Sequence, residues 1–222
     1  MRILLSLILI ALLGSRVCAD VKRPGLAKNR RPVRILFLGN SFTYFHDLYK
    51  EVARLTEGET EQNVKGGAAL AEQLNPETEL GKSARLLLQQ KWDYVVLQEQ
   101  SAKPMTNREA FLKSAEELCR LVREAGAKPV FYATWPYRKD SDKLASTGRS
   151  YREMFIALTE AYHEAARAND ALIADVGTAF YNSKADLYEP DAFHPNSGGT
   201  ALAAEIISGV IMKDRKQQPG KF

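Results

Sequence analysis

The stretch Ile35-Leu36-Phe37-Leu38-Gly39-Asn40-Ser41-Phe42-Thr43 decides how the 222-residue chain is read. Its first four residues are apolar without alternation, the pattern of a central strand covered on both faces. Gly39-Asn40-Ser41 then turns the chain, and Leu48, Val52 and Leu55 recur at helical spacing until Gly58. A serine at the carboxyl end of a first strand stands where open α/β sheets hold their ligands. Ser41 is therefore a candidate nucleophile. The same turn is also what a helix cap looks like, since Asn, Ser and Thr all favour that position.

Outward from this turn, strand and helix signals alternate. Apolar runs place strands at residues 33–38, 62–65, 93–98, 130–134 and 172–176, with Tyr94-Val95-Val96-Leu97 the clearest of them. Helical spacing marks 48–55, 80–90, 107–125, 151–168 and 197–212. Residues 138–150 read as a polar loop and 177–196 as a long irregular connection. Such alternation predicts a parallel sheet with helices on both faces, an α/β fold in one domain over residues 33–213. A polar tail follows at 214–222.

The composition is that of a globular domain, 45% hydrophobic and 26% charged. Net charge is +4 with basic and acidic residues interspersed, and no basic run is interleaved with aromatics, which argues against a nucleic-acid partner. Residues 1–19 have the form of a secretory signal peptide: Arg2, an apolar run to Leu13, then Val17-Cys18-Ala19 before Asp20. The run is too short for a membrane span, so a secreted or periplasmic destination without stable membrane insertion is expected. Loss of Arg2 and Arg16 with that segment lowers the charge from +4 to +2. Residues 20–32 read as a basic, proline-punctuated linker. Cys119 would be the one cysteine left, a small core residue with no partner for a disulfide.

A serine hydroxyl needs a base within reach, and that base needs an orienting group. His163 falls on the polar side of a helix and reads as a solvated residue. His46 lies just after Ser41 and reads as a local cap, or as part of a pocket lining. His194 stands in a loop before the last helix, held extended by Pro195, with Asp191 three residues earlier able to fix its tautomer. Asp191 and His194 could equally be a local hydrogen bond or half of a metal site, although no histidine or cysteine cluster joins them.

Two blocks carry a family resemblance. Gly39-Asn40-Ser41-Phe42-Thr43 resembles the first block of the SGNH (GDSL-like) hydrolases, and Asp191-Ala192-Phe193-His194-Pro195-Asn196 is similar to their last block. The resemblance spans residues 33 to about 212 and implies a flavodoxin-like three-layer fold with strand order 2-1-3-4-5. It implies a Ser-His-Asp mechanism: Ser41 the nucleophile, His194 the base and then acid, Asp191 the orienting carboxylate. It also implies an oxyanion hole from the Ser41 N–H, a glycine after the second strand, Gly67 or else Gly66, and an amide after the third. The family's asparagine is missing there, and Gln98 in Leu97-Gln98-Glu99-Gln100-Ser101 is expected to replace it.

On this basis the chain is expected to be a serine esterase needing no cofactor or metal, with a small-molecule or carbohydrate ester as substrate. An O-acetyl carbohydrate fits an exported enzyme, while lipase or thioesterase specificity fits the same residues. An α/β-hydrolase is disfavoured because Thr43 stands where its elbow has a second glycine. There is no Walker loop and no Gly-x-Gly-x-x-Gly. The alternative of another class is a non-catalytic carbohydrate- or partner-binding domain. Trp135, Tyr137 and Tyr188 would supply its stacking faces, and His46, Trp135 and Tyr188 are the candidate substrate-binding residues of the esterase.

Overall fold

The computed structural model describes residues 31–218, so the expected signal peptide, its expected cleavage after Ala19 and the expected linker up to residue 30 lie outside the described residues. Strand β1, Arg34–Gly39, ends in the quoted turn, and α1, Ser41–Tyr44, begins at the serine. A 3-10 turn at Phe45–Asp47 leads to α2, Leu48–Thr56, and then to β2, Glu59–Val64. Helices α3, Leu70–Leu74, and α4, Glu79–Leu88, precede β3, Tyr94–Leu97. Helices α5, Lys103–Thr106, and α6, Arg108–Glu124, precede β4, Lys128–Ala133. The chain closes through α7, Asp142–Ser146, α8, Tyr151–Ala168, β5, Leu172–Asp175, α9, Val176–Asn182, and α10, Ser197–Gln217.

All strand pairs are parallel and the order is β2-β1-β3-β4-β5, as the sequence led us to expect. Successive side chains alternate between faces, so each strand feeds two cores. Ile35, Phe37, Tyr94, Val96, Val130 and Tyr132 pack against α2, α9 and α10. Leu36, Leu38, Val95, Leu97 and Phe131 pack against α3, α4, α6 and α8. Coverage of both faces is why β1, β3 and β4 lack the polar alternation of a half-exposed strand. Cys119 lies in the second core, and burial pushes its thiol up to about 12.

Short helices α3 and α5 were not expected, and α7 forms inside the stretch read as a polar loop, capped by Ser141 and anchored by buried Leu144. Three further elements differ from the sequence reading, each for a local reason. Strand β2 begins at Glu59, earlier than expected, because it is an edge strand whose exposed residues Glu59 and Glu61 carry no apolar signal. Within the connection read as irregular, α9 is capped by Asp175, whose side chain accepts from Thr178 N, and anchored by buried Phe180. Helix α10 continues to Gln217 instead of fraying after Lys213. Asp214 and Arg215 are buried there, with Asp214 accepting from Tyr94 Oη at 2.8 Å and from Lys128 Nζ at 2.8 Å. Arg31, at the end of the expected linker, is tied to Asp93.

Strand β1 lies between β2 and β3, so chain order runs opposite ways on its two sides and a crevice opens above its carboxyl end. Ser41 is placed at that crevice.

Candidate active site

Ser41 is the first residue of α1, and Asn40 caps the helix by accepting from Phe42 N at 3.2 Å. The turn is held from beneath. Asn40 N–H donates to Gln98 Oε1 at 3.0 Å, and Thr43 Oγ1 donates to the same oxygen at 3.0 Å. Asn40 Nδ2 donates to Ala68 O at 2.9 Å, linking the turn to the loop after β2. A β-carbon on Gly39 would lie 2.5 Å from Thr43 Oγ1 and 2.8 Å from Gln98 Oε1, so glycine is required for the turn to close on the glutamine.

His194 is held by its neighbours' rings. Phe45 stacks on it at 4.0 Å and 5°, Phe193 lies tilted at 3.9 Å, and Phe42 meets it edge-on at 5.7 Å. Its Nδ1 is 2.6 Å from Asp191 Oδ2, while Asp191 Oδ1 accepts from the His194 and Phe193 backbone N–H groups. Burial acts to raise the Asp191 carboxyl, but the imidazole and the two N–H groups outweigh it and hold the carboxyl below its usual range. A carboxylate only accepts, so Nδ1 carries a proton and Nε2 is the nitrogen that is bare whenever the ring is neutral. That Nε2 is buried and makes no hydrogen bond among the described residues.

Ser41 and His194 line one cleft of about 300 Å³, together with Gly66 and Gly67. Phe42, Tyr44, Gln100, Ser101, Tyr137, Lys143 and Phe193 also line it. Gly67 has φ of +71°, and a β-carbon there would meet nothing within 4 Å, so the glycine serves the backbone conformation. The N–H groups of Ser41, Gly66 and Gly67 make no hydrogen bond among the described residues. Of the residues singled out in the sequence, then, Ser41, His194 and Gly67 meet at one cleft, and Asp191 stands behind the imidazole.

Gln98 does not join them. Its N–H still makes the ladder bond to Leu38 O, so its side chain leaves perpendicular to the sheet and is fully buried under the turn. Its amide nitrogen donates to Glu99 O, and the side chain is not among those that line the cleft. Gln98 braces the Ser41 turn from beneath instead of lining the cleft, where the family resemblance led us to expect it. The amide in the cleft wall is Gln100, two residues on. Its Oε1 accepts from Ala102 N and Lys103 N at 3.0 and 3.1 Å, and its Nε2 has one contact, to Ser101 Oγ at 3.3 Å. A second N–H of that amide remains to donate. Alternation does not separate the two amides, since residues two apart share a strand face; Gln98 is still in the ladder, whereas Gln100 lies in the loop beyond β3.

The three pocket candidates fall outside the cleft. Trp135 is fully buried between Phe42 at 4.7 Å and Phe180 at 3.8 Å, with Nε1 donating to Phe193 O. Tyr188 spends its hydroxyl on Pro136 O at 2.9 Å. His46 pairs with Glu189 at 2.6 Å. His163 is partly buried and bonded to Asp175 at 3.0 Å, not a freely solvated side chain. No group of three or more metal-ligating side chains occurs, and no helix is long and apolar enough to cross a membrane, among the described residues.

No protein-family model matches the sequence, and no curated protein does. Solved structures do. An SGNH-hydrolase-class protein from Slackia heliotrinireducens is 39% identical over 82% of this chain and all of its own, with a TM-score of 0.79. A DUF4886 family protein from Bacteroides uniformis is 18% identical, with 82% and 84% covered and a TM-score of 0.66. An acetylxylan esterase from Geobacillus stearothermophilus shares the fold at 13% identity, with 81% and 94% covered and a TM-score of 0.60. With a relative of 39% identity aligned along its whole length, a sheet of order 2-1-3-4-5 and the serine at the switch point of that sheet, this chain is a hydrolase of the SGNH family.

Proposed function

We propose that this hydrolase is a serine esterase that cleaves an oxygen ester through an acyl-enzyme. The observation that carries the reading is His194 Nε2, buried and free of other hydrogen bonds among the described residues, in the wall of the cleft that Ser41 lines. Ser41 Oγ adds to the ester carbonyl while Nε2 takes its proton. Collapse of the tetrahedral intermediate expels the alcohol, protonated by the imidazolium, and leaves the acyl group on Ser41. Water then adds by the same route, the acid departs and Ser41 regains its proton. Asp191 holds the ring and offsets its charge while it is imidazolium.

The developing oxyanion is bound by the N–H groups of Ser41 and Gly67, with the Gln100 amide as third donor. The cleft volume of about 300 Å³ is at the small end for ligand sites and favours a short acyl chain such as acetyl. We further propose that residues 1–19 direct export, so that the substrate is an ester met outside the cytoplasm, an O-acetylated carbohydrate above all. N-terminal sequencing of the protein recovered after export would then begin at Asp20.

The test is hydrolysis of para-nitrophenyl acetate and acetylated sugars by the native chain and by Ser41→Ala. The variant should lose at least about 10⁴-fold in kcat. A fluorophosphonate should add its mass to the Ser41 peptide of the native chain alone. Equal rates in both proteins would overturn the assignment.

A further inference from the structure

The cleft is unusual in its charge. None of its lining residues is an aspartate or glutamate, and one, Lys143, carries a full positive charge. The acids nearest the base are already engaged, Asp191 by His194 and Glu189 by His46. Other cations around the cleft are neutralised: Arg138 reaches Asp140 at 2.7 Å, and Lys65 reaches Glu72 at 3.2 Å. Lys143 makes no ion pair among the described residues. Its Nζ instead lies over the Phe193 ring, 3.8 Å from the centroid, and that ring leans on the His194 imidazole.

The lysine is also held in place. It is carried on α7, where Ser141 Oγ accepts from Lys143 N at 3.1 Å. Next to it, Leu144 is buried in a small satellite core with Tyr137, Met154 and Leu158. On the same wall Ser101 Oγ and Tyr137 Oη lie 2.8 Å apart. One hydroxyl donates to the other, which leaves one O–H to donate outward. An ammonium without a counter-charge beside a free hydroxyl donor is a receptor for an anion.

We infer that the substrate carries a carboxylate close to the scissile ester, and that Lys143 is the residue that selects it. The inference rests on the esterase reading above and narrows it to acidic esters. The carboxylate can belong to the acyl part, as in a half-ester of a dicarboxylic acid, or to the alcohol, as in an O-acetylated uronic acid. Both present the same group to the lysine, and paired substrates separate them.

The experiment compares kcat/KM within two pairs that differ by one charge: para-nitrophenyl hydrogen glutarate against its methyl ester, and acetylated methyl glucuronoside against acetylated methyl glucoside. In at least one pair the acidic member should be favoured by about tenfold at low ionic strength, and the preference should shrink as salt screens it. Lys143→Met should bring the ratio to about one and Lys143→Glu should invert it, whereas Lys139→Met, outside the cleft, should leave it unchanged. Because the readout is a ratio, partial misfolding of a variant does not move it. A native ratio of one or less in both pairs, or a ratio that survives Lys143→Met, overturns the inference while ester hydrolysis stands. No hydrolysis of any ester by the native chain overturns the esterase reading and the inference together.

Discussion

The two halves of the candidate cleft are built from different materials. The nucleophile turn rests on buried polar groups: Gln98, Glu99 and Asn40 are all within 3% of full burial and bonded to one another's backbones or to the loop after β2. The histidine half rests on rings, with Phe45, Phe193 and Phe42 around the imidazole. It is also where left-handed backbone collects: His46, Asp47 and Ala192, none of them glycine, have φ of 48°, 55° and 67°. Each such residue costs on the order of 1 kcal/mol. The comparison teaches a division of labour. The serine is fixed by bonds whose loss leaves buried groups unsatisfied, and the histidine by packing that tolerates local strain.

Substitutions can break this contrast or sharpen it. The largest effect should come from His194→Gln, which removes the base but no element of the core. A loss of about 10⁴-fold in kcat is expected, with thermal unfolding close to native; unfolding of the variant at room temperature would contradict the claim that rings and strain, not stability, characterise this half. Gln100→Ala should lower kcat by about 10²–10³-fold at unchanged fold. Steady-state kinetics that move by less than threefold would remove it from the oxyanion hole.

Gln98→Leu should do the reverse. It orphans the buried Asn40 N–H and Thr43 hydroxyl, so chemical denaturation should report a loss of about 2–4 kcal/mol. The smallest effect tests the same network by pH. Glu99 accepts from Leu70 N and Gln100 N, yet its burial outweighs those bonds and raises its carboxyl above the usual range. A raised folded-state value means that stability is greatest below the unfolded value and falls as pH rises through the folded one. Glu99→Gln, which keeps the accepting oxygen, should therefore gain stability relative to the native chain as pH climbs from about 4.3. Denaturation curves at several pH values would show it, and a difference that stays flat with pH would refute it.

The contrast also explains what could be read in advance. Ser41, Asp191 and His194 sit in contiguous motifs whose chemistry is local: a turn after an apolar run, and an acid three residues before a histidine. The five strands were legible because four of them are apolar in sequence, three of these buried on both faces, and the edge strand β2 was the one misplaced. The expected oxyanion amide fell on Gln98, while the amide that lines the cleft is Gln100; the two are equal in composition and differ in that Gln98 still pairs with β1 and Gln100 lies in the loop beyond. Only the continuation of the β1–β3 ladder through Gln98 N decides between them. The aromatic cage was not legible at all. Phe45 and His194 are joined across most of the chain, and nothing near Trp135 announced that it would be sealed between Phe42 and Phe180.

Cys119 has a practical consequence. With burial raising its thiol to about 12, the thiolate is scarce at neutral pH, and the sulfur is sealed in the core besides. An alkylating reagent can reach it only when α6 parts from the sheet. In a chain carrying Cys18→Ser, the labelling rate of this one atom becomes a clock for opening of the domain, read without denaturant and by mass alone.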